Sequence, residues 1–339
     1  MKTSLLKPRG AFALAAIATA CLPGLSHAES TVSLYGLADA GVGIYRGGGA
    51  NQTRFASGQD APSRIGFQGK EDLGSGLSAV FKLEAGLNLA DGSGAKGGGL
   101  AFNRSSYVGL EGGFGQLVIG RVWSVTDDAW SVHRFNNFSA YIFPEFGNFD
   151  RTYPSAVKYT SPTFAGMQAG AIYSKQETAN DNTKTDGVRE LGLTYQGGPV
   201  SLFASYSQTR RVAAAKADKL AIVAGSFKIE PVLIRAAYMD SRPGATGAAS
   251  AKVAMLGADY SFLPNWTIGA DYLRRTVKDA SGGSAIARVL LNYEMSKRTG
   301  FYAYVARLTN RNGDTQSFSG SVEPNGSQTG INIGIRHRF

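Results

Sequence analysis

Side chains able to do covalent or acid–base chemistry are scarce in this 339-residue chain. It has one cysteine, Cys21, and three histidines, of which only His133 and His337 lie beyond residue 28. A serine nucleophile needs a base within hydrogen-bond reach, normally His, and no Gly-x-Ser-x-Gly elbow stands near either histidine. There is no His-Glu-x-x-His, no cysteine cluster and no calcium-loop pattern. The glycine runs at 47–49 and 97–99 do not join a strand to a helix, so they are loop tips and not phosphate cradles. Asp181 and Asp186 share a loop in which nothing fixes a metal geometry. The expectation is no enzyme, no metal and no cofactor.

What remains is the placement of charge. In the last nine residues Ile331, Ile333, Ile335, His337 and Phe339 share one face, and Asn332, Gly334, Arg336 and Arg338 share the other. A period of two is a strand. A membrane barrel strand turns its apolar face to lipid and its polar face to a wet lumen. The same pattern recurs upstream. Leu77, Ala79, Phe81, Leu83 and Ala85 alternate with Ser78, Val80, Lys82, Glu84 and Gly86, and Ala287, Val289, Leu291 and Tyr293 with Arg288, Leu290 and Asn292. Unpaired mid-strand charges against a dry core would be prohibitive; against lumen water they cost little.

The elements that must position these charges read as sixteen short segments, from 31–46 to 328–339, each suited to a tilted barrel strand. Their connections alternate. Short turns such as Gln196-Gly197-Gly198 and Ile229-Glu230-Pro231 are followed by long polar loops such as 175–187 and 309–327. Short turns at one end and long loops at the other belong to outer-membrane barrels. An even strand number lets an antiparallel sheet close and leave no edge in lipid. The fold class is therefore all-β, a sixteen-stranded antiparallel transmembrane β-barrel. Tyr159, Tyr173, Tyr195, Tyr206, Tyr238 and Tyr260 sit near segment ends, where interfacial aromatic girdles form.

Residues 1–28 read as an export signal that is removed. Lys2, Lys7 and Arg9 precede a short apolar run from 11 to 21, and Ser26-His27-Ala28 supplies small residues at the cleavage positions. The run is too short for a membrane span. Residues 29–339 then form a single barrel domain, without cysteine and with a formal charge of +7. A dense Lys/Arg run or a nucleic-acid-binding motif is lacking, so the basic balance points to anionic lipid or anionic solutes. The connection 124–155 stands apart. It carries Trp130, Phe135, Phe138, Tyr141, Phe143, Phe146, Phe149 and Tyr153, too many aromatics for an exposed loop. It is expected to fold into the barrel and narrow it.

At this point the chain resembles a known family. Val32-Ser-Leu-Tyr-Gly-Leu-Ala-Asp-Ala40, Ser63-Arg-Ile-Gly-Phe-Gln-Gly-Lys-Glu-Asp-Leu-Gly74, Phe102-Asn-Arg-Ser-Ser-Tyr-Val-Gly-Leu110, Phe114-Gly-Gln-Leu-Val-Ile-Gly-Arg121, Pro144-Glu-Phe-Gly147 and Val157-Lys-Tyr-Thr-Ser-Pro162, with the terminal Phe339, resemble the general porins of Gram-negative outer membranes, betaproteobacterial type. The resemblance implies a homotrimer that passes small hydrophilic solutes and ions by diffusion. Its surroundings would be outer-membrane lipid and lipopolysaccharide. It also implies a constriction in which basic wall residues, here Arg64, Arg104, Arg121 and Arg151, face an acid on the inward loop, here Glu145. Asp127, Asp128 and Asp150 are further loop acids without a matching motif.

Parity supports these residues unequally. Arg64 lies opposite Ile65 and Phe67, on the lumen face. Arg104 shares parity with Val108 and Leu110, and Arg121 with Leu117 and Ile119, so strict alternation would aim both at lipid. A bulge, a place at the rim or a subunit interface would resolve this. Four arginines against one glutamate imply modest anion selectivity. The competing readings are a channel specific for one solute and a barrel-anchored surface adhesin.

Overall fold

The computed structural model describes residues 31–49, 51–95, 98–132, 152–175, 185–211, 214, 216–278 and 282–339. Expectations that fall on residues 1–28, on His133, Glu145, Asp150 and Arg151, and on the rest of 133–151 lie outside the described residues.

One antiparallel sheet closes on itself. Its strand segments are β1 (Thr31–Arg46), β2 (Gln52–Ser57), β3 (Arg64–Gly74), β4 (Leu77–Gly86), β5 (Ser105–Gly112), β6 (Gly115–Trp123), β7 (Thr152–Thr160), β8 (Met167–Ser174), β9 (Thr185–Gly197), β10 (Val200–Arg211), β11 (Asp218–Ile229), β12 (Val232–Arg242), β13 (Ala251–Leu263), β14 (Trp266–Val277), β15 (Gly283–Glu294), β16 (Thr299–Arg311) and β17 (Ser327–Arg338). From β3 onward each pairs with its sequence neighbours, β2 and β3 both pair with β1, and β17 returns to β1, setting Val42 opposite Ile333. The terminal alternation thus closes the barrel.

Segments β2 and β3 occupy one place in the wall, which makes sixteen barrel strands. β3 pairs with the first half of β1, Leu34 opposite Phe67, and β2 with the second half, Val42 opposite Phe55. The sequence pattern anticipates β3 but not β2. The break between them is fastened by Asp39, a fully buried inward carboxylate. It accepts hydrogen bonds from the backbone N–H groups of Gln59, Asp60 and Ala61 (3.0, 3.2 and 2.9 Å) and from the Tyr302 hydroxyl (2.8 Å). Gly58, at φ +71°, makes the turn into this bend. A carboxylate accepting several N–H groups is a strong local anchor.

The wall is inside-out relative to a water-soluble protein. Outward positions are exposed and apolar, as at Leu191 (65%), Val223 (60%), Leu256 (61%) and Ile333 (61%). Inward positions are buried and include Asp39, Glu84, Glu190, Arg235, Asp271, Arg288 and Arg336. Apolar surface on this scale needs a hydrocarbon partner. At the turn end Tyr260, Phe262, Trp266, Tyr293 and Phe301 form a continuous aromatic row, with Trp266 and Tyr293 stacked at 4.5 Å. Rows of this kind mark the membrane interface.

The inner face is less polar than the alternation suggests. Phe203, Ile222, Met239, Val253, Met255, Leu273, Ile286 and Leu308 are buried inward and form one apolar cluster with Trp130 of the helix α1 (Val125–Val132). That cluster gives the chain after β6 a wall to pack on. Charges on the same side are neutralised in pairs: Arg235 with Asp259, Arg288 with Asp271 and Arg275 with Asp314, each at 2.6 Å, and Arg336 with Asp60. Buried charges persist only when paired in this way.

Candidate functional site

Glu84 sits on the inward face of β4, where the register sets it between Gly66 of β3 and Ser105 of β5. Both neighbours are small, so longer side chains from either side can reach it. Arg104 donates from Nε to Glu84 Oε1 at 2.7 Å, Arg64 Nε lies 3.7 Å from Oε2, and Lys82 Nζ lies 3.8 Å from Oε2. The Tyr35 hydroxyl donates to Oε2 at 2.8 Å. Two cations also lie against rings, Arg104 on Trp123 at 4.7 Å and Lys82 on Tyr35 at 5.4 Å. Among the described residues three cations thus surround one carboxylate, whereas elsewhere on the inner wall Arg235 and Arg288 each meet one acid and Arg336 meets two, Asp60 and Glu294.

Arg64 points inward, as its parity requires. Arg104 does not face lipid, contrary to strict alternation. It precedes the first ladder residue of β5, Ser105, so the alternation rule does not reach it. Arg121 lies where the β6–β7 register shifts between Gly120 and Val122. The extra residue is on the β7 side, with Ser155 at φ +50°, so Val118 and Val122 of β6 both stay buried inward and Arg121 keeps the parity of Leu117 and Ile119. Arg121 donates from Nε to the Asn103 carbonyl (2.6 Å) and from Nη2 to Thr152 Oγ1 (3.0 Å), which ties the start of β7 to the segment before β5. Arg64 and Arg104 are therefore brought together, and Arg121 is committed to the strand ends beside them.

Glu84 and Lys82 carry no motif that marks them in the sequence. Their inward parity is visible there, but the meeting of Glu84 with Arg64 and Arg104 depends on cross-strand register, which composition and spacing do not fix.

Beyond β6 the chain turns onto the inner wall as α1. Ser124 Oγ accepts the Asp127 N–H at 2.8 Å, an N-cap. Buried Glu190 accepts both the Thr126 N–H (2.7 Å) and the Thr126 hydroxyl (2.5 Å). Lys158 pairs with Asp128 and donates to the Trp123 carbonyl at 2.9 Å. Val125 presses into a notch on β8 and β9, where a Cβ added to Gly170 or Gly192 would stand 2.7 or 2.6 Å from its methyl group. Of the candidate loop acids, Asp128 is thus taken by Lys158, and Asp127 gives its backbone N–H to the cap. His337 faces outward and shares a 2.9 Å hydrogen bond with Thr299.

A closed barrel with apolar outside, charged inside and a helix seated on its inner wall defines an outer-membrane channel protein. The sequence model of the Gram-negative porin family matches residues 13–313, and the chain belongs to that family. It is similar to outer membrane porin protein 32 of Delftia acidovorans, 28% identical over 96% of this chain and 99% of that one. It is likewise similar to an outer membrane porin protein of Bordetella pertussis, 29% identical over 96% and 99%. In fold it matches the anion-selective porin from Comamonas acidovorans, with a TM-score of 0.81, 24% identity and coverage of 92% and 100%. The trimer form of OmpT from Vibrio cholerae also matches, with a TM-score of 0.69, 17% identity and coverage of 91% and 99%. The protein is an outer-membrane porin of a Gram-negative cell, and porins are channels, not enzymes.

Proposed function

We propose that the chain is a general diffusion channel for small hydrophilic solutes and ions, weakly selective for anions. The observation that carries this is the convergence of Arg64, Lys82 and Arg104 on a single acid, Glu84. Cations in excess at a narrow, low-dielectric place raise the local concentration of anions. Arg121 and Arg151 extend the basic wall, and Glu145 on the connection 124–155 is its acidic counterpart. The seating of α1 by Glu190 and Lys158 supports an inward course for that connection. The Comamonas neighbour is an anion-selective porin and the Vibrio neighbour has a trimer form, and both agree with an anion-preferring homotrimer. Removal of residues 1–28, leaving 29–339 as the barrel domain in contact with lipid and lipopolysaccharide, completes the reading.

The test is the reversal potential of single channels in a planar bilayer under a potassium chloride gradient. An anion-favouring potential at about 0.1 M salt is expected, shrinking near 1 M as the Debye length falls from about 10 to 3 Å. A cation-favouring potential contradicts it.

A further inference from the structure

On the turn-end side of α1 the inner wall holds a recess of about 300 Å³. Two glycines make room for it. Gly170 of β8 lies opposite Thr160 of β7 on one side and opposite Gly192 of β9 on the other. Two neighbouring positions without side chains dent the wall, and Val125 and Ala129 of α1 cover the dent. Next toward the turn end, Gln168 of β8 lies opposite Thr194 of β9. Gln196 shares the inward parity of Thr194, since Leu191 and Leu193 point outward. Thr163, in the turn after β7, stands at the mouth.

This lining is polar but carries no net charge. Lys158 and Asp128 are paired with each other, and no other Lys, Arg, Asp or Glu borders the recess among the described residues. The cluster at Glu84, with three cations on one acid, differs in kind. The Thr194 hydroxyl donates to the Gln168 carbonyl at 3.3 Å, and Gln168 Nε2 donates to the Ser161 carbonyl at 3.1 Å. The side chains of Thr160, Thr163 and Gln196 make no hydrogen bond among the described residues. Hydroxyls and carboxamides both donate and accept. A solute whose own polar atoms are hydroxyls can pair with them group for group. An anion gains little, because the Lys158 charge is already satisfied by Asp128. The volume lies at the lower end of small-molecule sites, which suits one ring and not a long chain.

We propose that this recess is a binding station for a small uncharged polyhydroxylated solute, a single sugar ring, held by Thr194, Gln196 and Thr160 under Val125 and Ala129. The proposal rests on the channel reading and adds a second station to it, distinct in chemistry from the cationic one. A solute that pauses here passes with a saturable flux.

The experiment uses the full-length protein with D-glucose as the probe. In planar bilayers the potassium chloride current is expected to fall saturably as glucose is added to both sides, beyond the drop in conductivity of the same bulk solutions. The T194V/Q196L variant should raise the half-saturating concentration at least about five-fold, through lost hydrogen bonds. T194V alone serves if the double variant does not fold, with a smaller rise. Saturation-transfer NMR on the detergent-solubilised protein reads the same binding without current: glucose protons should receive saturation from the wild type and less from the variant. A current that falls only with bulk conductivity, or equal half-saturation in wild type and variant, overturns the proposal. Displacement of glucose by D-glucuronate at a lower concentration than by D-galactose would assign the recess to anions and overturn it as well. Normal salt conductance without saturation strikes the station and leaves the channel reading intact. A wild type that binds glucose by NMR through these residues but passes no current keeps the station and strikes the channel reading.

Discussion

Arg104 Nε and Glu84 Oε1 are 2.7 Å apart, with the glutamate side chain 4% exposed and the arginine 17%. The pair joins the inner wall of β4 to the residue just ahead of β5. Because Arg64, Lys82 and Tyr35 converge on the same carboxylate, Glu84 acts as a hub that holds several positive groups in fixed places. Replacing it tests the hub and the filter together. Glu84→Gln is expected to raise anion preference and to lower stability by about 1–3 kcal/mol, the cost of leaving a buried partner unsatisfied. Reversal potential and denaturant unfolding check the two effects; a variant with unchanged selectivity separates the cluster from the filter.

Removing the cations acts in the opposite direction. Arg104→Gln and Arg64→Gln should each move the reversal potential toward that of a neutral pore, and the double variant further. Lys82→Gln should do the same, although the sequence offered no family match at that position. Additivity is not expected, since all three share Glu84.

Much of this was readable in advance, and the limits are physical. The alternation of Ile331, Ile333 and Ile335 with Asn332, Gly334 and Arg336 suffices to identify β17 and to aim Arg336 inward. Arg64 is placed by the same rule. The rule fails at Arg104 because that residue precedes the first ladder position of its strand. It fails differently at β2. Gln52-Thr-Arg-Phe-Ala-Ser57 is short and mostly polar, and it becomes strand because Asp39 pins the neighbouring bend against the wall. Apolar inner positions such as Met239 and Leu273 depart from the polar lumen face that alternation predicts. They serve instead as the surface that receives Trp130.

The seat of α1 gives a separate prediction. Glu190→Ala deletes the acceptor for the Thr126 N–H and hydroxyl, hydrogen bonds to a charged group worth about 1.5–3 kcal/mol. Gly192→Val fills the notch under Val125. Both variants should expose the connection 124–155 to added protease and make single-channel current noisier, while the barrel still shows its heat-modifiable shift on gels. Wild-type protease resistance in both would separate these contacts from the position of the connection.

The outer wall offers a stability test. Leu256→Arg puts a charge in the lipid-facing band of β13 and should cost roughly 2–4 kcal/mol in bilayer unfolding experiments. Lys252→Arg, at the loop end of the same strand and the same face, should cost little. Equal, small effects at both positions would mean that this face does not meet hydrocarbon.

The most direct measurement uses the near absence of cysteine. In a Cys21→Ser background, single cysteines are placed at Lys82 and Gln168 on the inner face and at Leu83 and Leu256 on the outer face. A charged, membrane-impermeant thiol reagent is then added to open channels in a planar bilayer. The inner positions are predicted to react and reduce the current, and the outer positions to remain unmodified. Reaction at Leu83 and Leu256, with Lys82 and Gln168 protected, would contradict a barrel that is wet within and lipid-facing without.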